Sequence, residues 1–511
     1  MILSRYIFVS IFFLFSGVAL SSTWYVDVAS FVSDGDGTSW QSPFIDLQDA
    51  LSAAEPGDEV WVTQGVYYPT SSTDRTINFG LRSDVAIYGG FVGTETARDQ
   101  RDYENNVTIL SGNIGDPNIT SDNSFNVVRA INLDVTAIMD GFLVTEGNAT
   151  DPEPYERGGG MFSKAAKIEI RNCIFTENIA SYGGGVYNLG STTAYYYNCK
   201  IINNTAVHVG GGVYNFLRCN TIIDRSIIAN NEAILDFAGA MYNFQSSMDI
   251  YNSLVSFNKA PSASTFYMTN HSELQFYNTN VVYNESNTYP IFNLELASDV
   301  RFYNSFFWQN NSNSVEGDMY FANPESTFAS YNSLVDGINS LSDTTEQIDT
   351  WVSSEEIYEA YENIVNGIPS NTVSLGHPLF VDGGDMSYNT LALDFLGNDR
   401  IADDQIDIGM IEGKSTGTTF TKQERISEIK LYPNPMRELD SQLIVKFGTV
   451  NIEHLELYNF LGEKLCRSYP KGNNTTDQVI FELPTIGIGT YLLIITSKDK
   501  NTYAQKLIVI K

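Results

Sequence analysis

The segment GGGVYNLGSTTAYYYNCKIINN, residues 183–204, decides the fold because the chain repeats it. Clear copies, GGGMFSKAAKIEIRNCIFTEN and GGGVYNFLRCNTIIDRSIIANN, occupy 158–178 and 210–231, and fainter copies follow to residue 310. One polar position recurs every 26–28 residues, at Asn172, Asn198, Asp224, Asn252, Asn278, Asn304 and Asn332. A second series has the same step, at Asn178, Asn204, Asn230, Asn258, Asn284 and Asn310. A fixed period of this length indicates a repeat architecture.

Each repeat predicts one coil of a parallel β-helix, with three short strands joined by turns and the next coil about 4.8 Å away. Asparagine suits the turns because its amide stacks from coil to coil and because it tolerates a left-handed backbone. The triple glycines predict turns that need a positive φ or a close approach of two backbones. A propeller needs longer repeats, and a leucine-rich horseshoe needs a leucine series that the sequence lacks. Alternation predicts an interior that includes Ile168, Ile170, Ile201, Ile222 and Leu254.

The N-terminus predicts a secretory signal peptide. Arg5 precedes an apolar run from Tyr6 to Leu20, broken only by Ser10, Ser16 and Gly17, and small residues follow. This run is shorter than the roughly 20 residues that a membrane-spanning helix needs. We therefore expect residues 1–21 to be removed, with cleavage near Ser21, and the mature protein to be soluble or tethered.

Charge is distributed unevenly along the chain. The formal net charge is −32, from 61 acidic and 29 basic residues, yet residues 425–511 carry 11 basic and 9 acidic residues, which leaves −34 on the rest. Such a body repels nucleic acid and anionic polysaccharide and attracts divalent cations or basic partners, although solubility alone also explains it. Four cysteines do not make a disulfide scaffold, and Cys173 and Cys199 are expected to form a buried thiol stack, with a disulfide as the alternative.

Residues 23–412 resemble the right-handed parallel β-helix repeats of the pectin-lyase-like superfamily. The resemblance rests on the GGG-aliphatic motif followed by Phe175-Thr176-Glu177-Asn178, and it is strongest over 138–310. The sequence before it, TWYVDVASFVSDGDGTSW from residue 23, resembles the N-terminal cap of such proteins. EEIYEAYENIV at 355–365 predicts a short amphipathic helix within an insertion near 345–366, and 377–413 resembles a worn closing segment.

The end of the chain is a different unit. Residues 413–425 are polar and predict a linker, and 426–511 alternate as strands of a small β-sandwich. The motifs at 431–435, 461–462, 489–491 and 506–511 resemble the type A sorting domain of the type IX secretion system. The resemblance implies export from a Bacteroidetes-type bacterium through that machinery, with removal of the domain and attachment to surface lipopolysaccharide. An accessory sandwich domain is the alternative.

Candidate chemistry on the repeats is sparse. Lyases and glycosidases need convergent carboxylates, and the acids of the repeats do not recur at one position of the coil. Asp224 with Arg225 is the nearest candidate, but Asp224 is assigned to the asparagine turn series. Asp34 and Asp36 have the spacing of a calcium loop, but no complete EF-hand follows, and turn statistics favour an Asp-Gly turn over a calcium loop. We predict no catalytic residue and no cofactor other than possible calcium at Asp34 and Asp36.

Tyrosines recur at the period of the repeat, in one series at Tyr187, Tyr214 and Tyr242 and in another at Tyr197, Tyr251, Tyr277, Tyr303 and Tyr331. An outward series would bind sugar rings or protein partners, and an inward or covered series would be packing. The candidate glycan-binding residues are Tyr251, Tyr277, Tyr303 and Tyr331. The sequence thus predicts a secreted or outer-surface protein that is adhesin-like or glycan-binding, with glycans or neighbouring cell-surface proteins as partners and no nucleic acid. The alternative is a polysaccharide lyase or glycoside hydrolase.

Overall fold

A computed structural model describes residues 21–335, except 261–263, 288, 309, 313–319 and 332. Beyond that range it describes 347–348, 401–402, 405–406, 430–432, 436–437, 442–446, 452–458, 464–469, 471–475, 478–483, 489–497 and 502–510. The predicted signal peptide up to residue 20, the helix at 355–365 and the linker at 413–425 lie outside these residues. Gln347–Ile348, at the start of the predicted insertion, form a strand.

The repeats form a parallel β-helix of four stacked sheets. Sheet 1 has twelve strands, Thr23–Val26, Glu59–Thr63, Ala86–Phe91, Ala137–Asp140, Lys167–Arg171, Thr193–Tyr197, Asn220–Asp224, Ser247–Tyr251, Glu273–Tyr277, Asp299–Tyr303, Thr327–Tyr331 and Gln347–Ile348. Sheet 2 has ten, Gly65–Tyr67, Thr108–Ser111, Phe142–Thr145, Ile174–Thr176, Lys200–Ile202, Ile227–Ala229, Leu254–Ser256, Asn280–Val282, Phe306–Trp308 and Leu334–Val335.

The other two sheets complete each coil. Sheet 3 has nine strands, Phe79–Gly80, Val128–Ile131, Met161–Lys164, Val186–Leu189, Val213–Phe216, Met241–Phe244, Phe266–Thr269, Phe292–Leu294 and Tyr320–Ala322. Sheet 4 has seven, Asn148–Ala149, Ile179–Tyr182, Thr205–Val209, Glu232–Ala233, Lys259–Ala260, Glu285–Ser286 and Asn311–Ser312. The prediction of a parallel β-helix is confirmed. Among the described residues, the coils from Ala137 to Ser312 have a fourth short strand, in sheet 4, where three strands were predicted.

The strands alternate between an inner and an outer face, which places the core inside the coil. In sheet 1, Ile168 and Ile170 belong to the interior cluster, and so do Ile223 and Ile250 on later coils. Ile201 is also inside, as predicted. Ile222 and Leu254 are half-buried and face outward instead, because Ile223 and Val255 take the inward positions of their strands. Where two apolar residues are adjacent, the sequence does not show which of them faces inward.

An asparagine ladder lies buried at the corner between sheets 2 and 4. The Nδ2 of Asn204 donates to the Oδ1 of Asn231 at 3.0 Å, and Asn231 donates to Asn258 at 2.9 Å. The ladder comprises Asn178, Asn204, Asn231, Asn258, Asn284 and Asn310. The assignment of Asn230 to this series is wrong. Asn230 occupies the preceding left-handed turn position, with φ 54°, so the ladder passes to its neighbour.

The turn between sheets 1 and 2 is a second left-handed corner. Asn172, Asn198 and Asn252 have φ between 48° and 51°, and Arg225 occupies the same position with φ 47°. Asp224 therefore does not belong to the asparagine series, contrary to the prediction. It pairs with Tyr197 and Tyr251 in register and so belongs to the tyrosine series.

The triple glycines serve both roles that the sequence predicted. Gly183 has φ 69°, a conformation that L side chains rarely adopt. A Cβ at Gly184 would lie 2.4 Å from the carbonyl oxygen of Thr205 on the next coil. These glycines therefore permit the turn and the close stacking of coils.

Cys173 and Cys199 are free and buried. The next coils place hydroxyl residues at this corner, and the backbone N–H of Cys199 donates to the Oγ of Ser226 at 2.9 Å. The Sγ of Cys199 lies 3.4 Å from the carbonyl oxygen of Ile170. These contacts agree with the predicted stack of buried thiols.

A helix, Leu47–Ala53, lies at the N-terminal end of the β-helix. Asp46 caps it by accepting a hydrogen bond from the backbone N–H of Gln48 at 2.9 Å. Leu47, Ala50 and Leu51 are buried and join the interior cluster. Short 3₁₀ turns occupy Arg98–Gln100 and Thr120–Asp122. In the part of the chain that the structure describes, no helix is long and apolar enough to cross a membrane.

The C-terminal unit contains two larger sheets and the antiparallel pair Ile401–Ala402 and Gln405–Ile406. One sheet comprises Lys430–Tyr432, Gln442–Lys446, Gln478–Glu482 and Lys471–Thr475. The other comprises Met436–Arg437, Thr502–Ile510, Gly489–Ser497, Ile452–Tyr458 and Lys464–Ser468. Leu443, Val445, Leu455 and Leu457 are buried at alternate positions, which is the pattern of a sheet with one covered face. The packing of the two sheets as a sandwich remains a prediction.

Candidate functional site

The outer face of sheet 1 carries two parallel files of polar and aromatic side chains, which we call the outer strip. One file, in register from coil to coil, is Tyr197, Asp224, Tyr251, Tyr277 and Tyr303. The other, two residues earlier on each strand, is Tyr195, Ile222, Asp249, Gln275 and Arg301. The inward neighbours of both files belong to the core, so the strip faces outward.

The candidate tyrosines form a stack on the strip. The ring centroids of Tyr251 and Tyr277 are 4.7 Å apart, and those of Tyr277 and Tyr303 are 4.8 Å apart, with interplanar angles of 12° and 10°. Tyr251 is only 1% exposed, whereas Tyr277 and Tyr303 are half-buried. The side chain of Tyr331 lies outside the described residues. Because both faces of the Tyr277 ring are covered by neighbouring rings, this ring offers a ligand its edge and its hydroxyl.

Charged residues on the outer face of sheet 1 are mostly paired along one strand. Glu169 pairs with Arg171 at 2.6 Å, and Asp299 pairs with Arg301 at 2.9 Å. Asp249 differs, because it makes no hydrogen bond or ion pair with the residues that the structure describes. Burial raises the pKa of Asp249 to about 6, and the negative charge of Glu273 on the next strand acts in the same direction.

Asp224 has a different environment from Asp249. It is 1% exposed, and its Oδ1 accepts a hydrogen bond from the Nδ2 of Asn252 at 3.0 Å. Its Oδ2 lies 3.6 Å from the Nε of Arg225, whose guanidinium covers the ring of Tyr197 at 4.2 Å. The pair that the sequence singled out is therefore a buried contact that fixes the corner of the coil.

A loop covers the N-terminal part of the same face. Arg101 pairs with the buried Asp140 at 2.7 Å and donates to the carbonyl oxygen of Gly89 at 2.8 Å. The guanidinium of Arg101 lies 5.3 Å from the rings of both Tyr88 and Tyr103. The outer strip thus begins where this loop ends.

The other tyrosine series is covered. Tyr187, Tyr214 and Tyr242 are outside the coil on sheet 3, with adjacent centroids 4.5 Å apart, but they are only 3–8% exposed. Residues such as Phe237 and Val209 pack over them in a second hydrophobic cluster. Burial raises the pKa of Tyr242 to about 12. This tyrosine series therefore packs within the protein, which is the second of the two interpretations that the sequence allowed.

The predicted calcium residues lie in an exposed turn of the N-terminal region. The Oδ1 of Asp36 accepts hydrogen bonds from the hydroxyl and the backbone N–H of Thr38, at 2.8 Å and 3.1 Å, and these bonds lower the pKa of Asp36. Asp34 is exposed nearby. Among the described residues, no group of three His, Cys, Asp or Glu side chains could hold a metal ion. A calcium site at Asp34 and Asp36 remains a prediction.

Sequence reasoning overlooked the second file of the strip. Asp249, Gln275 and Arg301 stand two residues before Tyr251, Tyr277 and Tyr303, so counting back two positions from each tyrosine finds them. This signal went unused because the residue types differ from coil to coil.

The fold and the outer strip define a parallel β-helix with a polar and aromatic outer face, and comparison with known proteins adds the route of export. Residues 430–511 match a family model described as a secretion system C-terminal sorting domain. They are therefore a type IX sorting domain, which implies contact with that machinery and indicates that the protein is secreted or attached at the cell surface. No curated protein matches the sequence.

Comparison with solved structures gives matches that include the following three. Pectate lyase Pel9A is 13% identical, with a TM-score of 0.45, covering 78% of this chain and 97% of its own. A rhamnogalacturonan lyase is 13% identical, with a TM-score of 0.30, covering 63% and 90%. XylC in complex with xylose is 9% identical, with a TM-score of 0.26, covering 95% and 100%. The β-helix assignment rests on the strand registers of this chain.

Proposed function

We propose that the protein is an adhesin-like, glycan-binding β-helix of the cell surface, and that the outer strip of sheet 1 is its binding face. The observation that supports this most directly is Asp249, a carboxyl on the outer face that has no hydrogen-bond or ion-pair partner among the described residues. It lies beside the amide of Gln275 and the hydroxyl of Tyr277. Such groups donate to and accept from sugar hydroxyls. The acidic body disfavours anionic polysaccharides, so the expected ligand is a neutral glycan.

The ladder geometry defines how a glycan would bind. The stacked rings cannot receive a sugar between them, so recognition would depend on ring edges, hydroxyls and the second file rather than on ring faces. The coils repeat these groups about 4.8 Å apart, which suits an extended chain lying along the helix axis.

The test is to incubate the full chain with neutral and acidic polysaccharides, with and without calcium, and to record binding, reducing ends and the absorbance of unsaturated products. We expect saturable binding of a neutral glycan, weakened roughly tenfold by the double change Gln275→Ala and Arg301→Ala. Lys164→Ala, on the exposed end of a strand in sheet 3, is the matched control and should bind as the native chain does. Absence of binding to every glycan would refute the proposal.

One observation favours a second candidate, cleavage of a glycosidic bond. A carboxyl with a pKa near 6 is suited to general acid catalysis, and Glu273 supplies another carboxyl on the adjacent strand. If reducing ends or unsaturated products appear, Asp249→Asn should abolish their formation while glycan binding persists. Binding without turnover would reject this second candidate.

A further inference from the structure

The loop from Gly112 to Ser124, which follows the sheet 2 strand Thr108–Ser111 and includes the 3₁₀ turn at Thr120–Asp122, contributes several buried side-chain oxygen atoms. The Oδ1 atoms of Asn113, Asp122 and Asn123 and the Oγ of Ser124 have no hydrogen-bond partner among the described residues. Asn123 is 3% exposed and Ser124 is fully buried. Bulk water therefore does not solvate these oxygens, and buried oxygens without a partner are costly.

The orientation of the two amides is fixed by Glu146. Asn113 donates its Nδ2 to the Oε1 of Glu146 at 3.0 Å, and Asn123 donates its Nδ2 to the backbone oxygen of Glu146 at 2.8 Å. Both partners are acceptors, so the nitrogen assignment follows from the bonds and each Oδ1 points away from Glu146.

The backbone brings the remaining oxygens to the same loop. The N–H of Ser124 donates to the carbonyl oxygen of Gly112 at 2.8 Å, which places Ser124 beside Asn113. The Oδ2 of Asp122 accepts from the N–H of Asp116 at 2.9 Å, which leaves its Oδ1 for another partner. The Oε2 of Glu146 accepts from the hydroxyl of Ser111 at 2.6 Å. The carboxylate of Glu146 therefore places a negative charge beside the loop.

We propose that the loop from Gly112 to Ser124 binds a calcium ion through the Oδ1 atoms of Asn113, Asp122 and Asn123 and the Oγ of Ser124. An all-oxygen set of one carboxylate, two amides and a hydroxyl matches the ligands that calcium takes, with loop carbonyls or water completing six to eight. A buried water molecule, which donates two hydrogen bonds, is the alternative occupant that the test below distinguishes from calcium. This site is separate from Asp34 and Asp36 and from the outer strip.

The test uses the full chain after treatment with a chelator. Titration with calcium chloride, followed by calorimetry, should give one site with a dissociation constant of about 10⁻⁴–10⁻³ M, the range of extracellular calcium modules. Asp122→Asn keeps the shape of the side chain and should weaken binding by about 10- to 100-fold. Asp102→Asn is the matched control, since Asp102 is exposed, lies outside the loop and accepts from Asn105 of its own turn; it should change the affinity by about twofold at most.

Hydrogen exchange keeps the proposal testable if the Asp122 variant does not fold. Calcium should slow the exchange of backbone amides within residues 112–124 of the native chain. Absence of saturable calcium binding would overturn the site in favour of water, and so would protection that arises only elsewhere. Calcium binding that is lost in Asp36→Asn but retained in Asp122→Asn would assign the ion to the other turn and also overturn it.

Discussion

Two ladders of tyrosine side chains lie on the outside of this β-helix, and they differ in how far other residues cover them. Tyr187, Tyr214 and Tyr242 on sheet 3 are buried under residues of a second hydrophobic cluster, whereas Tyr277 and Tyr303 on sheet 1 remain partly exposed. Both ladders have the coil period and nearly the same ring spacing, 4.5 Å and about 4.8 Å. Periodicity therefore establishes that rings stack, and the chain between the strands decides whether the stack is core or surface.

The contributions of coverage and of ring stacking to the free energy of unfolding can be separated by removing the middle ring of each ladder. Tyr214→Ala should lower the free energy of unfolding by about 3–5 kcal/mol, because it removes a covered ring and leaves a cavity. Tyr277→Ala loses two stacking contacts at similar distance but little covered area, so we expect about 1–2 kcal/mol. Chemical denaturation of both variants measures the difference, and equal losses would show that stacking, not coverage, dominates.

The exposed ladder lies beside the carboxyl of Asp249, which destabilises the folded chain at pH 7. Since the pKa of Asp249 is raised to about 6 in the folded chain, ionising it at pH 7 is less favourable there than in the unfolded chain. Asp249→Asn should therefore stabilise the protein by about 2–3 kcal/mol at pH 7, and this gain should fade between pH 6 and pH 4.

Asp299→Asn is the matched control for that change, because Asp299 sits on the same face but pairs with Arg301 at 2.9 Å. Losing this partly exposed pair should cost about 0–1 kcal/mol, so the two substitutions are expected to differ in sign at pH 7. Thermal unfolding at pH 4 and pH 7 measures both effects. If Asp249→Asn destabilises the chain at pH 7, the carboxyl has a stabilising partner and the strip loses its distinguishing feature.

The sequence was sufficient for the fold because stacked coils repeat the same backbone geometry, and glycine and asparagine mark its turns. It failed where two similar residues stand side by side. Asn230 and Asn231 differ by one position, yet only the second has its amide in the ladder. In the same way, the sequence assigned Asp224 to the left-handed turn position that Arg225 occupies in the structure. The repeat length varies from 26 to 28 residues, so it cannot decide which of two neighbouring residues occupies a given position of the coil. That choice depends on which side chains pack inward.

The covering of the sheet 3 ladder was equally hidden in the sequence. Phe237, which packs over it, lies between strands, and Val209, which also packs over it, is the last residue of the sheet 4 strand Thr205–Val209. The oxygens of the loop at residues 112–124 escaped notice for a related reason, since they come from outside the repeats and include amides and a hydroxyl rather than a cluster of acids. Sites built by irregular segments need the three-dimensional contacts to be recognised.

The smallest expected effect tests whether the hydroxyl edge of the exposed ladder has a function. Tyr277 donates its hydroxyl to the Oε1 of Gln275 at 2.6 Å, so Tyr277→Phe should cost about 0.5–1.5 kcal/mol of stability. If a glycan binds to ring edges and hydroxyls, the same change should weaken its binding severalfold, because the hydroxyl orients the amide that faces the ligand. Tyr187→Phe, in the covered ladder, should leave glycan binding unchanged. Equal binding by both variants, measured by calorimetry on the same glycan, would mean that the exposed ladder is packing as well.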